Sequence, residues 1–578
     1  MADNFEKIFK MFHTLRHYRK SQLGWYLYYR VRKLLPVSWW FSCKVPSGIT
    51  IDAEKKEKLR SFAKIWAETS YWNQSEVDRI INGEVEYAGE KYPLSRFLMG
   101  VEDGISPLAR YGLHSFEFLW KLCLFYLSSG NEDIERLAKN CVLEWINSNP
   151  PGKPISWDPY PTSYRIRYIL SACAIWNWNE SQILESVFLQ IRYLLKSLEF
   201  HLLGNHLIQN LCGLLVGAEL FSLEIKDKVL EMLEKELREQ ILEDGGHYER
   251  VPMYHFHVLI DLLWLTAVLE PVPEFLENAI ERMLRFAKDI TLSDGNYPLF
   301  GDSVYYHLPS WNEVSYVAGK LTNIKIKDNG SEANLVKLAD SGYYLFRYGS
   351  KGERNIELVV RAGKPGPDYQ LAHAHCDQLS YEMLIEGKRF IVDSGINGYA
   401  GSLYRSFQRS TRAHNTVWIE GVEQLEGWGV FRVARRGRCL VEEARFEDDT
   451  FKFIATYHFY TGEKHRRIIE FNYPYMKVSD EVFCLPKSYS VFNFIHFHPN
   501  VDVEAQDSCI IATGYGIRVK LLVYGNTCVS LVKGVKDLSQ GWYSERFGLS
   551  VPNSVVIMEK QNNERSKYLI LKYQQKIE

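Results

Sequence analysis

Apolar residues follow two different periods along the chain. From about residue 55 to 325 they recur every three to four positions, as in SFEFLWKLCLFYLSSGN, RIRYILSACAIWNW, ILESVFLQIRYLLKSLEFHLLG and VLIDLLWLTAVLEPVPEFLENAIERMLRFAKDI. Residues three and four apart share a helix face, so this spacing predicts helices. Short Gly, Pro and Asn loops separate them. The expectation is a set of helical hairpins packed side by side, with no sequence repeat to accompany them. After about residue 335 the runs become short, β-branched and aromatic: GYYLFRYGS, NIELVVRAG, SYEMLIEGKRFIVDSG, FKFIATYHFY, HRRIIEFN and IRVKLLVYG. Turn residues bound each of them, which predicts an all-β half of stacked antiparallel sheets. The charged, Gly-containing KIKDNGSEANLVK is the expected junction. Two large domains of different class imply a cleft between them, a common place for a ligand.

The length of 578 residues exceeds what one core supports. The expected division is a helical extension over 1–54, a helical domain over 55–332 and a β domain over 333–578. A formal net charge of -2 gives no support to nucleic-acid binding, while leaving room for a local basic groove that takes an acidic polymer. The 15 Trp and 36 Tyr suit a cleft that stacks on sugar faces, and equally suit large aromatic cores. Ten scattered cysteines form no C-x-x-C pair and most sit in apolar runs, as buried thiols of a reducing compartment do. The N-terminus has no apolar stretch followed by a small-residue cleavage site, so no secretory signal is expected. The segment LGWYLYYRVRKLLPVSWWF is broken by Arg30, Arg32 and Lys33, too much so to span a bilayer. It either packs on the body of the protein or makes peripheral contact with a membrane as a basic amphipathic helix.

Three clusters in the helical half could carry chemistry. In LLGNHLIQN, Gly204 ends one helix and Asn205 caps the next, with His206 beside it. A helix start favours an anion, so a carboxylate could dock there with His206 ready for proton transfer. An ordinary cap with a half-buried histidine is the plain alternative. In EDGGHYERVPMYHFH, Glu249 and Tyr254 belong to a group of ionisable residues entering an apolar helix. A tyrosine there could act as acid or base if its neighbours lowered its pKa, or the stretch is a solvated loop. In SWDPYPTSYRIRY, Trp157, Tyr160 and Arg165 suit a sugar acid, or anchor the loop in the core.

The β half offers LAHAHCDQLSYEMLIEGKRFIVDSG and RSTRAHNTVWI. His373 and His375 share a face if extended. His375, Asp393 and His414 form a candidate Zn²⁺ set with room for a fourth ligand; a polar surface cluster is the alternative. A two-residue turn at Glu386-Gly387 would pair Asp393 with Ser380, roughly 16 Å along the strand from His375. The stretch HAHCD must then curl back for the two to meet.

Taken in order, PYPTSYRIRY, GNHLIQN, DGGHYERVPMYH, GDS, AHAHCDQLSYEM, DSGINGY and RSTRAHNTV resemble the motifs of the heparinase II/III type of polysaccharide lyase, in the branch found among bacterial capsule and exopolysaccharide genes. The resemblance implies an incomplete (α/α) toroid followed by an antiparallel β-sandwich, in a bacterial protein of the cytoplasm or the membrane periphery. It implies β-elimination at a uronic acid of an acidic polysaccharide, with no organic cofactor. Asn205 and His206 would neutralise the uronate carboxylate, Tyr254 would serve as acid or as both acid and base, and His373 as partner base or stabiliser. Trp157, Arg165, Glu249 and either Tyr399 or Tyr404 would contact substrate. His375, Asp393 and His414 would hold a structural zinc. Gln209 stands where some members use glutamate, so an acidic role there is not implied. A uronyl C5-epimerase needs the same carboxylate neutralisation and proton abstraction, and a non-catalytic glycan-binding protein is the third reading. The sequence carries no indication of oligomeric state.

Overall fold

The computed structural model describes residues 2–325, 333–349, 356–399, 403–484, 489–506, 509–525, 527–537, 539–561 and 566–574. Most of the expected junction, residues 326–332, lies outside them.

The first half is helical, as its periodicity predicts, and toroid-like, as the resemblance implies. Helices Pro159–Trp176, Gly204–Leu220 and Pro252–Val268 lie side by side at its centre and are buried on nearly every face. Their apolar character all round follows from that position. An outer helix such as Glu274–Ile290 buries only one stripe, from Leu276 through Ile280, Met283 and Ala287 to Ile290. Burying such a stripe stabilises each helix by about 1.5–3 kcal/mol per large apolar side chain.

The β half corrects the expectation of a sandwich. Its strands form a five-stranded sheet over Ala333–Ile391, a four-stranded sheet and an eight-stranded sheet, with two-stranded ribbons besides. The eight-stranded sheet has a seam where Tyr475–Phe483 pairs with Ser566–Gln574 and the register shifts between Lys477 and Ser479. Four strands lie on each side of that seam. The region is thus a four-bladed β-propeller and not two facing layers. One core serves the three large sheets, through residues such as Phe346, Phe453 and Ile495. Alternating apolar residues specify which strand face is buried; they do not specify how many sheets share the core.

The hairpin Tyr381–Ile385/Lys388–Ile391 turns at Glu386-Gly387, both at positive φ. The stretch HAHCD before it is an irregular loop, which brings its histidines to the helical half.

Candidate active site

The helix carrying Asn205 and His206 starts at Gly204 with Leu203 as its cap, two residues before the expected cap Asn205. Leu203 and Gly204 are both at positive φ. A Cβ on Gly204 would lie 2.2 Å from Glu249 Oε1, so only glycine lets Glu249 reach the helix start. Glu249 accepts the Asn205 backbone N–H at 2.9 Å, and both its oxygens lie 3.0 Å from Asn205 Nδ2. His206 Nδ1 lies 3.2 Å from Glu199 Oε1. Burial opposes the charged imidazole, but the Glu199 carboxylate outweighs burial and raises the His206 pKa.

On the opposite wall, Tyr254 comes from the first turn of Pro252–Val268 and stacks on His373, with ring centroids 4.0 Å apart. Its hydroxyl lies 2.8 Å from that of Tyr399. Burial, then Tyr399 and Asp302, push the Tyr254 phenol well above its ordinary pKa. His373 Nδ1 lies 2.8 Å from Asp302 Oδ2, while its Nε2 stands 3.8 Å from Glu249 Oε2. Aspartate at Nδ1 fixes the tautomer and leaves Nε2 as the acceptor.

These contacts close on themselves. Asn205 touches Glu249, which faces His373, which stacks on Tyr254. Tyr254 lies edge-on to His257, whose Nδ1 is 3.3 Å from the Tyr160 hydroxyl, and Tyr160 packs on His206 at 4.6 Å. The ring spans the interface of the two halves.

Asp302, in the GDS motif, had no role assigned from sequence. It is fully buried and binds His373, His375 and the Arg405 guanidinium together. Burial disfavours its charge, yet Arg405 and the two imidazoles hold its pKa well below the usual carboxylate range. Nothing local marks Asp302 or Arg405, because their partners lie 71 and 103 residues away.

The zinc expectation is corrected here. His375 is taken by Asp302 at 2.8 Å, and His414 Nδ1 by Asp393 at 2.7 Å. Among the described residues His375 Nδ1 and His414 Nε2 have no hydrogen-bond partner, and no group of three His, Cys, Asp or Glu could hold a metal ion. Structural zinc takes four ligands, and two nitrogens do not make that set. Burial pushes the His375 pKa down to about 3, so it sits as a neutral imidazole in an ion-paired network.

Other expected residues stand apart. Trp157 is buried with its indole N–H on Asn149 O at 2.8 Å. Arg165 is fully buried, donating to Gln190 Oε1 and His114 O and lying over Trp145. Both hold the core, the plain alternative for that loop. Of the two tyrosines, Tyr399 is at the site, while Tyr404 packs on Trp542. Gln209 accepts from the buried Arg167 at 3.0 Å.

The Heparinase II/III N-terminus family matches residues 9–318, and the Heparinase II/III-like, C-terminal family matches 331–573. The chain belongs to the heparinase II/III-like family. A curated relative of this heparinase II/III-like chain, a heparin-sulfate lyase of Pedobacter heparinus, is 25% identical over 350 residues, 54% of this chain and 52% of the relative. The match thus spans about half of that relative's length. A solved heparinase III superposes with a TM-score of 0.66 at 16% identity, covering 91% of this chain and 85% of that one. A heparan sulfate lyase structure from Pedobacter heparinus gives 0.59 at 18%, covering 91% and 88%. At these identities the structures speak for fold.

Proposed function

We propose that this chain is a polysaccharide lyase that cleaves a uronic-acid-containing acidic polysaccharide by β-elimination. The closed ring of Asn205, Glu249, His373, Tyr254, His257, Tyr160 and His206 carries this reading, because it sets a cation and an amide opposite an acid and a base. In the reaction the C5 proton passes to His373 Nε2 as the C4–C5 double bond forms. The bond from C4 to the glycosidic oxygen breaks, and that oxygen takes the Tyr254 proton. A buried phenol of raised pKa is protonated at neutral pH, which suits an acid and not a base. His206, whose pKa Glu199 raises, stabilises the enolate-like intermediate as an imidazolium through the substrate carboxylate. For Asn205 to join it, the amide must leave Glu249. The direct test is ultraviolet absorbance of the unsaturated uronate over a panel of uronate polysaccharides. Deuterium entering C5 from solvent without chain cleavage would point instead to the epimerase.

The Glu199–His206 pair predicts a pH dependence. The folded His206 pKa lies above 6.5, so activity that needs the imidazolium persists above pH 6.5 and falls as pH rises through the raised pKa. Its contribution to stability has the same sign: full below 6.5, lost through the folded pKa. Glu199→Gln moves the alkaline limb of the kcat/KM profile downward. An unmoved limb would remove His206 from the charge role.

We also propose that the N-terminal helices contact a membrane surface, with the protein in the cytoplasm or at the membrane periphery. Helix Ala2–Leu15 leaves Phe5, Ile8 and Phe12 exposed on one face, at 76%, 59% and 66%. Its other side is held to the β half, where Thr14 Oγ1 accepts from Trp428 Nε1 at 2.9 Å. Residues 1–44 carry nine Lys or Arg against two acidic residues, which complements anionic lipid. Among the described residues no helix is long and apolar enough to cross a membrane. The protein is expected to sediment with phosphatidylglycerol-containing vesicles, and about tenfold less with neutral ones, given ~1 kcal/mol per basic residue. Phe5→Ser with Phe12→Ser abolishes the binding; sedimentation unaffected by both changes would defeat the idea.

A further inference from the structure

We propose that Phe431, at the tip of a β-hairpin, is the platform for the sugar that leaves, the hexose joined to the uronate through the oxygen that Tyr254 protonates. The choice of that sugar rests on the lyase reading, but the platform can be tested without turnover.

The hairpin pairs Leu425–Trp428 with Arg432–Arg436. Its turn is Gly429, Val430 and Phe431, and Gly429 opens it at positive φ. Phe431 is 42% exposed. Its ring nevertheless stands at the reacting groups, with its centroid 6.3 Å from that of His373 and 5.6 Å from that of Tyr399. An exposed aromatic ring in this place offers a flat apolar face to the C–H face of a sugar.

The hairpin and the loop that carries His373 form one body. Val430 O, beside Phe431, accepts from Arg409 Nη1 at 2.7 Å and from Arg405 Nη2 at 3.4 Å. Arg405 also binds Asp302, the carboxylate on His373, and Arg409 reaches Ala374 O at 3.4 Å. Leu425 and Val433 share an apolar cluster with Ala374 and Cys376. On the hairpin's other side Thr14 Oγ1 accepts from Trp428 Nε1 at 2.9 Å and lies 3.3 Å from Val433 O. A ring held in advance loses little freedom when a ligand lands on it, so less of the contact energy is offset by ordering.

The roles of the neighbouring groups decide which sugar it meets. Asn205 and His206 take the uronate carboxylate, while Tyr254 serves the leaving oxygen. The Tyr254 hydroxyl lies 2.8 Å from that of Tyr399, and Phe431 packs on Tyr399. The path from uronate to leaving oxygen to the next sugar therefore runs from Asn205 past Tyr254 toward Phe431.

The test is titration calorimetry of the Tyr254→Phe protein, which keeps the stacked rings and slows turnover. The ligands are trisaccharides that carry glucuronate, galacturonate or mannuronate between two neutral hexoses. At least one is expected to bind, and adding Phe431→Ala should weaken it about tenfold, the worth of roughly half a phenylalanine side chain removed from water. Phe431→Trp should stay within about twofold of the parent. Phe431→Leu keeps apolar bulk without a flat face and should lose nearly as much as alanine. A leucine variant that binds like the parent would reduce Phe431 to simple packing and overturn the platform. Unchanged affinity in the alanine variant, or no binding of any trisaccharide, would overturn it too. An analogue with methyl on the uronate O4 in place of the leaving hexose should bind the parent and the alanine variant equally. A tenfold loss with that analogue would place another part of the chain on Phe431 and overturn the assignment to the leaving sugar. The expected titrations without any unsaturated product from the wild-type protein would instead strike the lyase reading and leave the platform standing.

Discussion

Replacing Tyr254 by phenylalanine is expected to slow formation of the unsaturated product ~10²–10⁴-fold, the usual worth of a positioned general acid. The ring would still stack on His373, and the hydroxyl it loses is one hydrogen bond to Tyr399. The stability cost is therefore about 1 kcal/mol, small enough for the variant to fold. Substrate affinity should change little, because the proton moves only as the leaving oxygen departs, and kcat should carry the loss. A variant that keeps more than a tenth of the activity would mean that another group protonates the leaving oxygen, and Tyr399, 2.8 Å away, would be the next to remove.

Asp302→Asn is expected to damage both stability and chemistry. The wild-type carboxylate is the shared partner of Arg405, His373 and His375 at a site with no exposure. Its amide replacement is isosteric but neutral, so the Arg405 guanidinium loses a buried carboxylate that it contacts. Breaking a buried ion pair from one side costs about 3–5 kcal/mol, which denaturant unfolding would read directly. The amide can no longer hold the His373 Nδ1 proton as a carboxylate does, so the variant should be nearly inactive even where it remains folded. Activity near wild type in the folded fraction would mean that His373 is not the base. The low pKa of Asp302 also sets a sign: its contribution to stability is present above the ordinary aspartate value of 3.8 and is lost as pH falls through the depressed folded value.

Much of the site could be read from motifs, but not the way each residue is used. Asn205, His206, Glu249, His373 and Tyr254 do meet in one ring, and Tyr399 touches it through the Tyr254 hydroxyl. Trp157 and Arg165 carry the same aromatic and cationic signal as a sugar-binding loop, yet burial turns them into core anchors. The motifs gave His373 a role in proton transfer and His375 one at zinc; the Asp302 carboxylate between them joins both in one ion-paired network. Spacing specifies only which residues can share a face. The identity of the third partner depends on chain segments tens of residues away.

By itself the sequence determined the class of each half, since helical and strand periods are local properties of side-chain direction. It also determined the family, through the order of seven short motifs. Only the tertiary structure decided that the β strands form propeller blades and not a sandwich, that Asp302 joins His373 to Arg405, and that Glu199 raises the His206 pKa. These outcomes rest on burial and on contacts between distant segments. The energy of a charge or a polar group is settled by what the fold packs around it.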